Sequence, residues 1–285
     1  MTRAELAAEL AASLGARHEA RFILDEVLGA PLASPVQLMG EREIAVARGM
    51  AARRKAGEPL QYIIGHWPFR TLDLRVDPRV LIPRPETEQV VDVAMAEIAY
   101  LGAARPVIVD AGTGSGAIAL SLATEMSDGV VWALDASTDA LAVARVNLET
   151  VRQQHEDSML PVTLLESNWL AALPGSLRGA VNVVVANPPY VSGSEWDGLA
   201  EDVRREPFGA LVASAGSDGT PGLSAVEEAM SQARTWLSKP GAVVVELAPD
   251  QAEPATRMAR SLGYVDVRVD PDLAGRPRAL VGRVR

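Results

Sequence analysis

Hydrophobic residues recur at helical spacing near the start of the chain. Over residues 2–57, Leu6 and Leu10 begin a series of leucines four residues apart, a spacing that places them on one face of a helix. Thr2 and Glu5 precede this series at the spacing of a capping box, in which each residue caps the backbone of the other. The pattern predicts three or four short helices in this region.

A different pattern begins after this helical region. Residues 70–76 alternate between polar and apolar side chains, which is typical of a short β-hairpin. Pro83 and Pro85 end the hairpin, and a helix is predicted to follow with Val90 and Val91 on its apolar face. We therefore predict an N-terminal helical domain, a connecting hairpin and a larger C-terminal domain, at residues 1–65, 66–85 and 86–285.

The larger domain contains short, β-branched apolar runs. Runs of this length are typical of strands that are buried on both faces, as in a parallel sheet. The predicted strands are residues 106–110, 130–134, 162–166, 181–186 and 242–247, with an antiparallel edge pair at 264–269 and 279–284. Helices predicted at 117–124 and 223–237 complete an α/β pattern. The long polar segment from 191 to about 222 is predicted to be a lid or binding loop.

Glycines and an acid follow the first two strands, at the edge where open α/β sheets bind ligands. Gly112, Gly114 and Gly116 lie between a strand and a helix, so the backbone can approach a ligand closely and helix N–H groups can face it. Asp135 ends the next strand about 20 residues later, where a carboxylate can accept from both hydroxyls of a ribose. These residues predict a nucleoside-containing cofactor.

The glycines do not decide which cofactor binds. Gly112, Gly114 and Ala117 also match the fingerprint of a dinucleotide-binding loop, with an acid at the expected distance. Asn168 and Trp169 follow the third strand and are placed to bracket an adenine. A tryptophan that only fills the core is the alternative for Trp169.

The fourth strand ends in the tetrapeptide Asn187, Pro188, Pro189 and Tyr190, which suits a methyl acceptor. The Asn187 carboxamide oxygen and the Pro188 carbonyl are acceptors that could bind both hydrogens of one planar –NH2 group and leave a face of the nitrogen free. Tyr190 offers a flat surface for a planar substrate. We predict Asn187, Pro188 and Tyr190 as catalytic residues and all four as substrate-binding residues. For the tetrapeptide alone, a proline-rich turn with a structural asparagine is the alternative.

Composition excludes several other classes of function. The chain has no cysteine, so neither a disulfide nor a thiolate metal site is possible, and its three widely separated histidines predict no metal site. Its net charge is −10, and residues 1–79 hold 11 basic and 10 acidic side chains, so the larger domain carries the negative charge. Acidic proteins are poor non-specific binders of nucleic acid. Without an apolar leader or an apolar run long enough to span a bilayer, we predict a cytoplasmic protein with no membrane or direct nucleic-acid partner.

Five segments resemble the HemK/PrmC family of protein-glutamine N5-methyltransferases. Members of this family methylate the glutamine of the Gly-Gly-Gln loop in peptide-chain release factors. The segments are residues 57–60 (GEPL), 81–88 (LIPRPETE), 110–116 (DAGTGSG), 187–190 (NPPY) and 202–207 (DVRREP). The resemblance covers nearly the whole chain, and the second and fourth segments together are far more diagnostic than either alone.

The resemblance implies a seven-stranded, Rossmann-like sheet of the class I S-adenosylmethionine-dependent methyltransferases, with a small N-terminal helical domain for substrate recognition. It implies a cofactor site at Gly112, Thr113, Gly114, Ser115, Gly116, Asp135, Asn168, Trp169 and Asn187. In that site the glycine loop passes the methionine part of S-adenosylmethionine, Asp135 holds the ribose and Trp169 flanks the adenine. The family often has an acidic residue before this tryptophan. Asn168 departs from that pattern, although an amide can still pair with an adenine edge.

Three alternatives remain at this point. A sister enzyme methylates a glutamine of a large-subunit ribosomal protein, and N6-adenine DNA methyltransferases also end a strand with the tetrapeptide and bind the exocyclic –NH2 of a flipped base. The acidic charge, and an end at Arg285 that leaves no room for a C-terminal target-recognition domain, disfavour a DNA substrate. A non-catalytic cofactor-binding module is the third alternative, but such a module would have no need for paired amide acceptors.

Overall fold

The computed structural model describes residues 1–29, 34–154 and 160–285. The helices are α1 (Arg3–Leu14), α2 (Arg17–Leu28), α3 (Glu41–Lys55), α4 (Leu60–Ile64), α5 (Pro85–Leu101), α6 (Ala117–Glu125), α7 (Thr138–Gln154), α8 (Phe208–Leu211), α9 (Ser224–Trp236) and α10 (Ala252–Ser261). The strands are β1 (His66–Phe69), β2 (Leu72–Arg75), β3 (Val107–Ala111), β4 (Val130–Asp135), β5 (Val162–Glu166), β6 (Val181–Ala186), β7 (Val191–Ser192), β8 (Val212–Ala213), β9 (Leu237–Glu246), β10 (Val265–Pro271) and β11 (Pro277–Val284). Within these residues no helix is long and apolar enough to cross a membrane.

The first four helices pack around a core of their own. The predicted capping box begins α1, since the Glu5 amide donates to Thr2 Oγ1 at 3.2 Å and the Thr2 amide donates to Glu5 Oε2 at 2.9 Å. Leu6 and Leu10 are buried against Ile23 from α2, as their helical spacing predicts. The prediction of a small N-terminal helical domain is confirmed.

The predicted hairpin joins this helical region to the larger sheet. Strands β1 and β2 pair antiparallel, and the alternation of residues 72–75 buries Leu72 and Leu74 and exposes the polar residues between and after them. Asn147 of α7 fixes the hairpin to the larger domain, because its side chain accepts from the Arg75 amide at 2.7 Å and donates to the Arg75 carbonyl at 3.1 Å.

Seven strands of the described residues form one sheet in the order β10-β11-β9-β6-β3-β4-β5. Strands β9, β6, β3, β4 and β5 run parallel, and β11 is antiparallel to both β9 and β10. The predicted seven-stranded α/β sheet is confirmed. From β3 the chain proceeds to β4 and β5 on one side and to β6 and β9 on the other. The carboxyl ends of β3 and β6 therefore meet at the switch point, where such sheets bind ligands.

Two predictions from the sequence need correction. Strand β9 begins at Leu237 and not at residue 242, because its pairing with β6 shifts between Val181 and Val183 and the extra residues bulge out of the ladder. The segment after Tyr190 is also not a structureless loop. It contains β7, β8 and α8, and the two short strands pair with each other in parallel.

Candidate active site

A cleft of about 520 Å³ lies at the switch point of the sheet. The predicted site residues that line it are Gly112, Thr113, Gly114, Ser115, Asp135, Asn168, Trp169, Asn187, Pro188 and Pro189. Gly116 and Tyr190 lie outside this lining. Gly116 instead ends the turn before α6, where its amide donates to the Thr113 carbonyl at 2.8 Å. Parallel strands bring most of the predicted residues together because their carboxyl ends share one edge of the sheet.

Two acids hold the glycine loop. Asp110 is fully buried beneath it and accepts from Thr113 Oγ1 at 2.6 Å and from the Ala119 amide at 3.1 Å. Burial raises the pKa of Asp110 to about 7 despite these hydrogen bonds. Asp135 Oδ2 accepts from the Gly114 amide at 2.9 Å. Gly114 has a φ of +56°, and a Cβ there would meet no protein atom within 4 Å, so the loop leaves open space beside its backbone.

The Asp135 carboxylate retains acceptor capacity toward the cleft. Its second oxygen, Oδ1, accepts from the Ser137 amide at 2.9 Å. Burial raises the pKa of Asp135, and the backbone hydrogen bonds oppose that rise. A carboxylate has about four lone-pair sites, more than the backbone amides of Gly114, Ala136 and Ser137 use, so acceptor capacity remains for a ligand. This remaining capacity suits a group that carries hydroxyls.

Trp169 forms the wall of the cleft that faces the glycine loop. A Cβ placed on Gly112 would lie 3.8 Å from Cζ3 of its ring. Trp169 has a φ of 50°, a conformation that is rare for a bulky residue and that concentrates at functional sites. The preceding Asn168 is exposed at the edge of the cleft. An aromatic wall and an exposed amide at this place suit a planar, polar-edged group.

A buried hydrogen-bonded chain lies behind Asn187. Asn187 Nδ2 donates to Thr87 Oγ1 at 3.2 Å, and Thr87 Oγ1 donates to Glu246 Oε2 at 2.7 Å. Among the described residues no hydrogen bond engages the Asn187 carboxamide oxygen, and Asn187 lines the cleft. Burial raises the pKa of Glu246 to about 7. Asn187 therefore offers an acceptor at the cleft and is held from behind.

Comparison with known proteins identifies the family. The family model "PrmC N-terminal domain" matches residues 2–65, and "Methyltransferase small domain" matches residues 94–206. A release factor glutamine methyltransferase of Burkholderia pseudomallei is 39% identical over 270 residues, covering 93% of this chain and 91% of that protein. One of Bifidobacterium longum is 36% identical over 273 residues, covering 92% and 91%. The chain belongs to the release factor glutamine methyltransferase family.

Solved structures place the family's larger domain among known methyltransferase folds. The N-terminal domain of human METTL16 in complex with S-adenosylhomocysteine (SAH) has a TM-score of 0.52 at 14% identity, covering 85% of this chain and 82% of that chain. The catalytic domain of the same human protein in complex with an RNA hairpin has a TM-score of 0.55 at 14% identity, covering 85% and 81%. Membership of the release factor glutamine methyltransferase family and the match to "Methyltransferase small domain" make the protein an S-adenosylmethionine-dependent methyltransferase, and the solved structures share its fold. The dinucleotide alternative is discarded, and the open space at Gly114, the spare acceptors of Asp135 and the Trp169 wall fit S-adenosylmethionine.

Tyr190 lies outside the lining of the cleft in this member of the family. Burial raises the pKa of the Tyr190 hydroxyl to about 12, and the nearby Glu246 carboxylate adds to the rise. The backbone after the two prolines is fixed by Gln251, whose Nε2 donates to the Tyr190 carbonyl at 3.1 Å and to the Pro221 carbonyl at 3.0 Å. The hydrogen bond from Gln251 and the close approach of Gly222 thus fix the position of the Tyr190 backbone.

We predict that Gly222→Ala destabilises the protein and slows methyl transfer. A Cβ at Gly222 would lie 2.1 Å from the Tyr190 carbonyl oxygen, and the residue has a φ of +67°. The clash and the left-handed backbone together should cost about 2–4 kcal/mol. Gly219→Ala is the matched control, since it has a φ of +84° but nothing within 4 Å. Thermal denaturation should show the larger loss for Gly222→Ala, and equal losses would contradict the role of the close approach.

The segment of residues 199–211 contacts the cleft, the Pro-Arg-Pro corner and the N-terminal helices. Pro207 and Ala210 line the cleft. The buried Glu206 carboxylate accepts from the Ile82 amide at 3.0 Å and from the Arg84 guanidinium, which ties the segment to the Pro-Arg-Pro corner. Arg54 of α3 reaches Asp202 at 3.2 Å, which ties it to the N-terminal helices. The resemblance singled out residues 202–207 but did not reveal these contacts.

Sequence reasoning missed four residues that support the site. They are Thr87, Asp110, Glu206 and Glu246, all of them buried. A signal was present for two of them, because Asp110 and Glu246 each lie at or beside the end of an apolar strand, where a buried charge requires a partner. Thr87 and Glu206 lie in the segments 81–88 and 202–207 that carry the family resemblance, but no local pattern marks these two residues, because their partners are far away in sequence.

Proposed function

We propose that the protein transfers the methyl group of S-adenosylmethionine to the side-chain amide nitrogen of the glutamine in the Gly-Gly-Gln motif of peptide-chain release factors, in the cytoplasm. The observation that carries the proposal is the Asn187 amide, whose NH2 group is bound by Thr87 while its oxygen remains an acceptor beside Pro188 at the cleft. The names of the Burkholderia and Bifidobacterium relatives support the same substrate.

In this proposal the cofactor lies across the carboxyl ends of β3, β4 and β5. Residues 112–116 and Asn187 pass its methionine part, Asp135 accepts from its ribose hydroxyls, and Asn168 and Trp169 flank its adenine. When bound, S-adenosylmethionine supplies an electrophilic methyl group on a positively charged sulfur. The lining of the cleft by most of these residues supports the assignment.

The Asn187 carboxamide oxygen and the Pro188 carbonyl would accept the two hydrogens of the substrate amide. Both acceptors favour a nitrogen whose lone pair localises as it becomes a nucleophile, and they would hold it in line with the methyl group. No strong base is needed, because the nitrogen becomes acidic only as the new bond forms and its proton can then leave to water. Pro189 lines the same cleft, whereas Tyr190 would act by supporting the turn from behind.

Residues 1–65 are proposed to recognise the substrate protein, residues 66–85 to connect, and residues 86–285 to carry out methyl transfer. The separate helical core of the first region supports its role as a distinct recognition unit. The Arg54–Asp202 pair supports a fixed orientation of that unit over the segment that lines the cleft.

A methyl-transfer assay with three substrates tests the proposal. Purified release factor, large-subunit ribosomal protein and duplex DNA are each incubated with enzyme and radiolabelled S-adenosylmethionine. We expect rapid labelling of the release factor and none of a release factor in which the motif glutamine is replaced by alanine. Faster labelling of the ribosomal protein or of DNA would replace the proposed substrate with that one.

A further inference from the structure

Asn187, Thr87 and Glu246 form a chain of hydrogen bonds in which each donor and acceptor is fixed. An ionised carboxylate can only accept, so the single hydroxyl proton of Thr87 is committed to Glu246. The Thr87 hydroxyl then offers Asn187 nothing but lone pairs. Asn187 must therefore turn its NH2 group toward Thr87 and its carbonyl oxygen toward the cleft.

We propose that Glu246 and Thr87 are positioning residues that determine which end of the Asn187 amide faces the substrate, and that methyl transfer requires Glu246 to be ionised. The inference rests on the proposed function. The two ends of a carboxamide have nearly the same shape, so packing alone does not distinguish them. A reversed Asn187 would present an NH2 group to the NH2 group of the substrate, and two donors form no hydrogen bond.

Three elements build the chain of hydrogen bonds. Strands β6 and β9 are parallel neighbours with Ala186 opposite Val245, so Asn187 and Glu246 are the next residues along the two strands. Thr87 lies in the first turn of α5, a helix that packs against both strands. Glu246 is 0% exposed and Thr87 is 4% exposed, so water does not offer either of them an alternative partner.

Charged groups from several elements surround Glu246. Arg278 of β11 reaches its Oε1 at 3.9 Å, and among the described residues this oxygen has no hydrogen-bond partner. Arg84 also favours the ionised carboxylate, whereas Glu86 opposes it, and the Tyr190 hydroxyl lies nearby. Burial outweighs the favourable partners, which is why the pKa of Glu246 rises to about 7.

The protonation state of Glu246 therefore controls which groups donate and which accept in this chain of hydrogen bonds. Below its pKa the carboxyl group carries a proton that it can donate to Thr87. The Thr87 proton is then free to point at Asn187, and the Asn187 amide can reverse. The turnover rate of the wild-type enzyme should fall as pH drops through about 7 and should be highest above it.

Two variants of Thr87 test the positioning role at saturating S-adenosylmethionine and pH 8. Thr87→Val keeps the shape but removes the hydroxyl, and we expect kcat on the release factor to fall roughly 10- to 100-fold because the acceptor is no longer held in place. Thr87→Ser restores the hydroxyl and should recover kcat to within a few-fold of wild type. SAH affinity should be unchanged in both. A Thr87→Val enzyme that binds SAH and turns over at the wild-type rate would overturn the proposal.

The pH profile of Glu246→Gln tests the ionisation requirement. We expect a lower kcat that stays flat between about pH 6 and pH 8, where the wild type declines. Asp110 titrates in the same range, so a decline that persists in Glu246→Gln would belong to it and would contradict the proposal. If Glu246→Gln does not bind SAH, the Thr87→Val profile serves instead, since it should be equally flat. If the wild-type enzyme is inactive on the release factor, the proposed function is refuted but the positioning role is not. The same variants then test the positioning role on the substrate that the enzyme does methylate.

Discussion

An Asn187→Ala variant should lose most of its methyl transfer to a release factor while S-adenosylmethionine and SAH bind almost as tightly as in the wild type. The lost carboxamide oxygen is one of two acceptors for the substrate amide, and it acts most strongly as the nitrogen becomes a nucleophile. By analogy with the loss of one oxyanion-hole donor, its removal should raise the barrier by about 2–4 kcal/mol, or roughly 30- to 900-fold in rate. Single-turnover kinetics would measure the rate, and calorimetric titration would measure the affinity.

Asn182 provides the matched control for this experiment. It lies near the amino end of β6, the strand that Asn187 directly follows, and its side chain accepts from the Val107 amide at 2.8 Å. Asn182→Ala should lower the denaturation midpoint and leave the rate per folded molecule close to that of the wild type. An Asn187→Ala enzyme that retains most of its methyl-transfer rate would contradict the amide-acceptor mechanism.

An Asp135→Ala variant should weaken S-adenosylmethionine and SAH to the same extent. The two compounds share the ribose, and each charge-assisted hydrogen bond to it contributes about 1.5–3 kcal/mol. The variant also frees the Gly114 and Ser137 amides that Asp135 now binds, so the glycine loop loses a support as well. Calorimetric titration with both compounds measures the effect.

Asp135→Asn should be milder than Asp135→Ala because the amide keeps one acceptor oxygen. Asp139→Ala is the control for charge, since Asp139 is an exposed acid in the first turn of the next helix. It should leave both affinities close to those of the wild type. Unchanged SAH affinity in Asp135→Ala would show that the ribose is held by other residues.

The parts of the site that could be predicted from the sequence follow from the parallel sheet. Buried strands read as apolar runs, and parallel strands all present their carboxyl ends at one edge, so the places of Gly112, Asp135 and Asn187 could be foreseen. The strand positions were correct to within a few residues for the same reason. The exception was β9, whose bulge adds residues that carry no apolar signal.

The parts that could not be predicted depend on contacts between distant segments. Thr87 and Glu246 are 159 residues apart, and Thr87 and Asn187 are 100 apart. No local pattern pairs them. The backbone position of Tyr190 depends likewise on distant residues, because Gln251 donates a hydrogen bond to its carbonyl and Gly222 lies close against that carbonyl. The tyrosine was therefore expected in the cleft and lies outside its lining.

Tandem mass spectrometry of a release factor after incubation with the enzyme and S-adenosylmethionine tests the central claim most directly. We predict one added methyl group, located on the side chain of the motif glutamine. The same factor treated with Asn187→Ala for the same time should remain almost unmodified. A methyl group on a different residue, or an unmodified factor after prolonged incubation with wild-type enzyme that binds SAH, would contradict the account.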